Sequence, residues 1–393
     1  MHSAKAKVAV KTPPLVEKQK GVALIMAMLI VVLVTAVAIE IRWRFELSIS
    51  RSANRWAGVQ AKAYLEGAEQ LAMTILRQDL EDEETSKTDH LNEPWAMDAQ
   101  PFPTDHGWVQ GRLEDAQGRF NLNLMRPPDN QCSNGSNREN GICQNTSFGT
   151  CDKYSEAQLT FVRLLQTVNI AGPEDEEPVY LQTAMAEEIV EAIIDWLDND
   201  SEISGYGGAE SNYYEGLTPP TTIANLQMIS VSELQQIKGV TAEIYRGLLP
   251  YVVALPTDNR QANGGEQGIT NKINLNTAKA PLLRSIGVTE GCDMLPLPEE
   301  TGQEIASAIA AGEYESMEDM EADSLIPPVW MNNNTLGIDK NLFGVFESSY
   351  FLFYGEVGIG DDYVRNGKSL IKRTKGQNGG ADLQVVRRTD ANF

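Results

Sequence analysis

The sequence predicts an α+β protein: a long N-terminal helix, first membrane-spanning and then amphipathic, packed on an antiparallel β-sheet, with a large helical domain inserted in the sheet. Three observations predict it. Gly21 to Ile39 is a run of nineteen residues without a charge. Glu40 to Leu80 contains no Pro and keeps apolar residues at helical spacing. Strand-like alternation then occurs twice, over 107–125 and again over 345–390, on either side of a helical stretch.

The N-terminal helix comes first. About 20 apolar residues at 1.5 Å each cross a bilayer, and a buried core helix is rarely apolar on every face over such a length. Lys5, Lys7, Lys11, Lys18 and Lys20 precede the run, which places the N-terminus on the cytoplasmic side. Beyond the membrane, Leu47, Trp56, Val59, Ala63, Leu65, Ala68, Leu71, Ala72, Ile75 and Leu76 continue the periodicity. Residues 22–80 therefore read as one helix, roughly 90 Å long at 1.5 Å per residue, ended by the acidic residues 81–84 and by Pro94. The apolar run is too long for the core of a secretory signal, and no small-x-small cleavage site follows it. Instead the basic stretch Lys18-Gln19-Lys20 ends in Gly21 directly before Val22-Ala23-Leu24-Ile25-Met26.

The chain of 393 residues is ample for more than one domain, and 42% hydrophobic with 22% charged residues is an ordinary globular composition. Its net charge of −23 opposes nucleic-acid binding, which rests on neutralising phosphates. With only three His, at His2, His90 and His106, a His-based zinc site or a Ser-His-Asp triad has almost nothing to be built from.

Strand patterns lie at Trp108-Val109, Leu113 and Phe120-Asn121-Leu122, with a Gln117-Gly118 turn, and again at Tyr350 to Tyr354, Val357 to Ile359, Leu370-Ile371 and Leu383 to Val386. Helices are predicted at about 155–168, 184–198, 231–237, 242–253, 278–286 and 300–311. The domain plan is a leader over 1–21, a transmembrane helix over 22–40, the rest of the helix over 41–85, a first β part over 86–125, an inserted helical domain over 126–340 and a second β part over 341–393. Within the insertion, Phe120-Asn121-Leu122-Asn123 is echoed by Ile273-Asn274-Leu275-Asn276, and Glu188 to Ile193 by Glu304 to Ile309, which suggests two copies of one supersecondary unit.

The densest chemistry is an acidic loop. Asp195, Asp198, Asp200 and Glu202 follow one another at a helix end, and Glu210 can fold back across Gly205, Gly207 and Gly208. Carboxylates crowd there against the negative end of the helix dipole. Convergent oxygens are what a hard cation needs, and Ca²⁺ takes six to eight of them at about 2.3–2.6 Å. We expect calcium held by Asp198, Asp200 and Glu210, with Asp195 and Glu202 beside them. This is no EF-hand, because Ile203 stands where that loop needs Gly. A second acidic run, Glu313 to Asp323, reads as a solvated face.

Ser232 to Thr241 with the following helix resembles half a helix-hairpin-helix, but Thr241 replaces the second Gly of the DNA-binding form and the flanks are neutral or acidic, so it reads as a packing scaffold. Cys132, Cys143 and Cys151 fall in an Asn/Gly/Ser-rich loop, with Cys292 far away. Outside the cytoplasm this predicts a stapled loop, with one disulfide among the first three; the pairing, Cys292 included, stays open. On the helix, Ala53, Ala57, Ala61, Leu65, Ala68, Ala72 and Ile75 form a small-and-apolar stripe for packing, and the flanking Trp56 and Val59 are expected to face partner subunits.

These pieces together resemble the K-type minor pseudopilin of the type II secretion system, the general secretion pathway protein K family. The resemblance is carried by Lys20 to Met26, Gly118 to Asn123, Ala192 to Asp198, Gly208-Ala209-Glu210 with Tyr213-Tyr214, Ser232-Glu233-Leu234, Leu249-Pro250, Leu255-Pro256 and Ile273 to Ala278. It implies a type IV pilin-like fold interrupted by a helical domain, bound calcium, and cleavage between Gly21 and Val22 by a prepilin peptidase, with N-methylation. It implies a single-pass protein of the inner membrane with its globular domain in the periplasm. It also implies a non-catalytic place at the pseudopilus tip, where the protein helps initiate assembly and export of folded proteins across the outer membrane. The implied partners are the I- and J-type minor pseudopilins, the major pseudopilin and the inner-membrane assembly platform, and not nucleic acid. Most of the superfamily carries Glu at the fifth mature position, where this chain has Met26; a subunit with none ahead of it has no terminal amine to neutralise, and a carboxylate in lipid is costly. Two other readings compete. A competence-type DNA-binding protein needs a basic face on 231–290, and a membrane-anchored calcium-dependent enzyme needs a nucleophile–base pair by the acidic loop; the sequence supplies neither.

Overall fold

The computed structural model describes residues 20–82, 87–127, 138–139, 142–143, 154–171, 177–257, 272–286, 293–326, 343–360, 363–375 and 380–389. Its first element is the expected helix, α1 (Lys20–Glu81). The chain divides into two units, Met1–Gln60 and Ala61–Phe393. In the first, residues 21–56 are exposed all round the helix, and the segment is long and apolar enough to cross a membrane. In the second unit the helix buries Ala61, Ala72, Leu76 and Leu80.

The second unit is framed by a five-stranded antiparallel sheet. Its strands are β1 (Phe102–Thr104), β2 (Gly107–Asp115), β9 (Tyr350–Ile359), β10 (Tyr363–Lys375) and β11 (Ala381–Thr389), in the order β1-β2-β9-β10-β11. The period of two along β9 divides its side chains between two cores. Phe351 and Phe353 meet Ala72, Met73 and Leu76 of α1, together with Trp95, Leu113 and Ile371. Tyr350 and Leu352 point the other way, to Val253 and Leu255 of the inserted segment.

Between β2 and β9 the chain leaves the sheet and forms the helical part. Its elements are β3 (Phe120–Asn121), the hairpin strands β4 (Arg138–Glu139) and β5 (Ile142–Cys143), α2 (Glu156–Thr167), α3 (Thr183–Leu197), α4 (Ser211–Glu215), a 3-10 turn Val231–Gln236, α5 (Ala242–Leu248), β6 (Val252–Val253), β7 (Ile273–Asn274), α6 (Ala280–Ile286), α7 (Glu299–Gly312), α8 (Met317–Ala322) and β8 (Phe343–Val345). Ser155 starts α2 with a full capping box. Three expectations shift. The predicted helix 242–253 stops at Leu248, because Pro250 has no N–H to continue it, and Val252–Val253 pairs in parallel with Phe120–Asn121 instead. The alternating stretch 107–125 stays in the sheet only to Asp115; Phe120, Leu122 and Met125 are buried in the core of the helical part. At the other boundary Phe346 lies in that same core, and the sheet resumes at Tyr350.

The sequence echo has a structural counterpart. Each copy opens with a short parallel pair, β3 with β6 and β7 with β8. In each, the first Asn side chain accepts the N–H of the Asn two residues on: Asn121 from Asn123 at 3.2 Å and Asn274 from Asn276 at 3.0 Å. The second Asn then donates to a distant carbonyl, Asn123 to Met228 and Asn276 to Tyr314. The same side-chain turn closes both copies.

Candidate metal centre

The acidic loop follows directly from α3, with Asp198 as the residue that ends the helix. Buried Ile189, Val190, Ile193, Ile194 and Leu197 seat the helix in the core, so the loop leaves from a fixed point. Two carboxylates on the same helix fold the loop back. Asp195, fully buried, accepts the backbone N–H of Ser204 at 2.9 Å on one oxygen and that of Ala209 at 2.7 Å on the other. Glu191 accepts the N–H of Gly207 at 2.6 Å and the Tyr154 hydroxyl at 2.8 Å. The glycines permit this approach: a Cβ on Gly208 would lie 2.4 Å from an Asp195 oxygen, and Gly205 has φ +56° with its would-be Cβ 2.1 Å from Glu191.

The fold-back brings Asp198, Asp200 and Glu210 together, each with a carboxylate oxygen within 4.8 Å of the others'. Asp198 and Glu210 are buried. One Asp198 oxygen and both Glu210 oxygens are shut off from solvent without a hydrogen-bond partner. Burial, then the charges of Asp200, Asp195 and Glu210, pushes the Asp198 carboxyl up to about 8. Burial, then Asp195, pushes Glu210 up to about 7. Asp195 rises to about 6, again chiefly through burial, against the hydrogen bonds it accepts. Buried carboxylates repelling one another, with oxygens lacking donors, are costly unless a cation or proton compensates them. The donor set is all oxygen, which suits a hard divalent ion such as Ca²⁺. Of the five residues expected here, three converge. Asp195 spends its oxygens on the backbone and acts as the hinge pin of the loop. Glu202 has an exposed side chain and gives its backbone N–H to Asp200 at 2.9 Å.

The hairpin-like segment braces the same loop. Lys238 donates to the carbonyls of Gly207 at 3.0 Å and Gly208 at 3.2 Å, Glu233 accepts from the Trp196 indole, and Asn225 donates to the carbonyl of Asp200. Its one well-placed lysine is thus turned inward. Glu191, Lys238 and Asn225 were not legible as loop-holding residues; Gly205 to Gly208 was the available signal that something approaches closely. In the second acidic run, Asp323 accepts from Tyr314 and Glu315 lies 3.5 Å from Lys87. Cys132, Cys151 and Cys292 lie outside the described residues, as does the side chain of Cys143. On α1, Gly21 and Val22 are exposed, and Trp56 and Val59 are 55% and 67% exposed.

A long helix on an antiparallel sheet, with an apolar N-terminal extension long enough to cross a membrane, is a pilin-like α+β fold, here carrying a helical insertion with an acidic loop. The comparisons narrow the class. The family described as type II secretion system protein K matches residues 118–257. The chain is 34% identical over 250 residues to the type II secretion system protein K of Aeromonas hydrophila, covering 64% of this chain and 68% of that protein. It is 35% identical over 276 residues to that of Pseudomonas aeruginosa, covering 68% of each, and 28% identical to that of Pectobacterium carotovorum over 94% of this chain and 96% of that one. Among solved structures, the GspK-GspI-GspJ complex from the enterotoxigenic Escherichia coli type 2 secretion system matches with a TM-score of 0.60 and 22% identity, over 86% of this chain and 98% of that one. The chain belongs to the type II secretion system protein K family.

Proposed function

We propose that this chain is the non-catalytic tip subunit of a type II secretion pseudopilus, anchored in the inner membrane by α1 with its globular part in the periplasm. The observation that carries the reading is the helical part inserted between β2 and β9 of a pilin-like frame, because bulk added to one end of such a subunit blocks the next subunit from adding above it. Met26, in place of an acid within the apolar run, suits a subunit with none ahead of it. The I- and J-type minor pseudopilins are the proposed partners, a reading supported by the complex in which the solved relative was crystallised. The major pseudopilin, the assembly platform and a prepilin peptidase cutting at Gly21–Val22 complete the set.

Calcium belongs to the same proposal. Asp198, Asp200 and Glu210 would hold it, and its charge would fix the loop that α3 and the hairpin position. The DNA-binding alternative is not favoured, because Lys238 is engaged with the loop carbonyls. Quantitative mass spectrometry of sheared pseudopili tests the tip role. The expected result is about one copy of this chain per filament whatever its length; a copy number that scales with length overturns the reading.

A further inference from the structure

A second group of carboxylates lies away from the acidic loop, where α1 gives way to the sheet. Asp79 comes from the last turns of α1, and Asp89 and Glu93 from the connection to β1; all three are buried. Each brings a carboxylate oxygen within 4.8 Å of the others'. That span is about twice a Ca²⁺–oxygen bond of roughly 2.4 Å, so one ion reaches all three. The basic group facing them from β10 is Arg373, with Nη1 2.6 Å from Asp79 and Nη2 2.6 Å from Asp89. When ionised, the three carboxylates against one guanidinium carry two surplus negative charges, which one divalent ion would balance. Asp115, the next carboxylate beyond Asp89, adds to the negative potential, although it is satisfied by Gln117, Asn274, Thr277 and Ser348.

Glu93 supplies an independent indication. Its side chain is 2% exposed, and one oxygen accepts the Trp95 indole N–H. The other, Oε1, is shut off from solvent with no hydrogen-bond partner. The nearest base is His90, whose Nε2 stands 3.6 Å from it, outside hydrogen-bond distance. A buried carboxylate oxygen without a donor, in a pocket carrying surplus negative charge, calls for a cation or a proton to compensate it. We infer that Asp79, Asp89 and Glu93 form a second divalent-cation site, of the hard, calcium-binding class, that ties the end of α1 to β10 through Arg373.

Metal counting tests it. Full-length protein in detergent is dialysed against buffered free calcium, and bound metal per chain is measured by elemental analysis. Glu93→Gln should bind one ion fewer than the wild type, Asp200→Asn should also bind fewer, and the double variant should show the sum of the two losses. Glu93→Gln keeps the shape of the side chain and an acceptor for Trp95. If Asp200→Asn lowers the count and a correctly folded Glu93→Gln does not, the loop centre stands and this site falls; the reverse result upholds this site and removes the loop centre. A second measurement leaves the second site unaltered. Terbium added to Asp200→Asn protein should show tryptophan-sensitised emission from Trp95 that calcium displaces, and absence of that emission overturns the proposal.

Discussion

Arg388, near the end of the last strand, grips Glu69 in the last third of α1, with Nη2 2.6 Å from one carboxylate oxygen and Nε 2.9 Å from the other. Ser369 on β10 donates to the same carboxylate. Glu69 is buried, whereas more than half of the Arg388 side chain is exposed, so losing the arginine strands a charge and losing the glutamate does not. Breaking a buried pair from its exposed side costs roughly 3–5 kcal/mol before solvent screening. With the discount that exposure requires, we expect Arg388→Ala to destabilise the protein by about 2 kcal/mol. Glu69→Gln should cost about half as much, since it removes the charge and keeps an acceptor for Ser369. Urea unfolding of the detergent-solubilised chain measures both, and an order reversed between the two variants contradicts the assignment.

Calcium removal should weaken the fold. A ligand bound only by the native state adds RT ln(1+[L]/Kd), about 2.7 kcal/mol at a hundredfold excess over Kd. Chelator should therefore lower the melting temperature, and Asp200→Asn should shrink that difference. Asp195→Asn should behave otherwise, because Asp195 holds the Ser204 and Ala209 amides. Its melting temperature should drop with or without calcium. Equal responses of the two variants to chelator would mean that Asp195 is a ligand and not the pin of the loop.

The pH dependence follows from the same carboxylates. Asp198 is pushed up to about 8 and Glu210 to about 7, against about 4 for free carboxyls. An acid whose pKa rises on folding binds its proton more tightly in the native state, so its contribution to stability is full at low pH and is lost as pH rises, here between about 4 and 8. Metal-free protein should melt several degrees lower at pH 8 than at pH 5.5. Calcium binding requires the ionised groups, so its affinity should rise over the same window. Glu210→Gln should flatten the metal-free slope; a slope left unchanged by that substitution would place its origin elsewhere.

Much of this architecture was legible because periodicity reports burial. The apolar run of α1 carries no polar face, β9 sends alternate apolar side chains into two cores, and the helical repeat of α3 buries its apolar side chains in the helical part. What escaped was long-range. Nothing local in Phe120–Asn121 says that its partner is Val252–Val253, more than a hundred residues away. Likewise Asp79, Asp89 and Glu93 are scattered among unremarkable acids, and only the approach of β10 with Arg373 gathers them. The acidic loop was visible because its residues are close in sequence. Its internal division, with Asp195 taken up by the Ser204 and Ala209 amides and one Asp198 oxygen left without a donor, depends on backbone N–H groups that sequence does not locate.

Leader processing is checked by intact mass. The basic stretch ending at Gly21, directly before an apolar helix, predicts a mature chain beginning at Val22 and N-methylated as the family resemblance implies. Gly21 is exposed, with nothing within 4 Å of a would-be Cβ, so a bulky residue there leaves the fold alone. Gly21→Leu should leave the precursor uncut while its calcium-dependent melting stays unchanged. A wild-type chain still starting at Met1 in a strain with active prepilin peptidase would falsify this.

The last prediction concerns partner assembly on α1. Part of the small-residue stripe is used within the chain: Ala72 is buried beside Met73 and Leu76 against the sheet, and Ala68 and Ile75 pack at its edge. Ala61 is also buried. That face is therefore committed. Trp56 and Val59, by contrast, are 55% and 67% exposed. Large apolar side chains at these positions cost solubility in a lone subunit and gain contact area in a bundle of subunits, where Trp is among the residues that dominate binding energy. Trp56→Glu with Val59→Glu should abolish co-purification with the I- and J-type pseudopilins, a loss of at least 2 kcal/mol for an anchor of this kind. The calcium-dependent melt should be retained, showing that the fold is intact. Should the double variant assemble with unchanged affinity, the interface lies on another surface, and the tip role would have to be carried by the helical part alone.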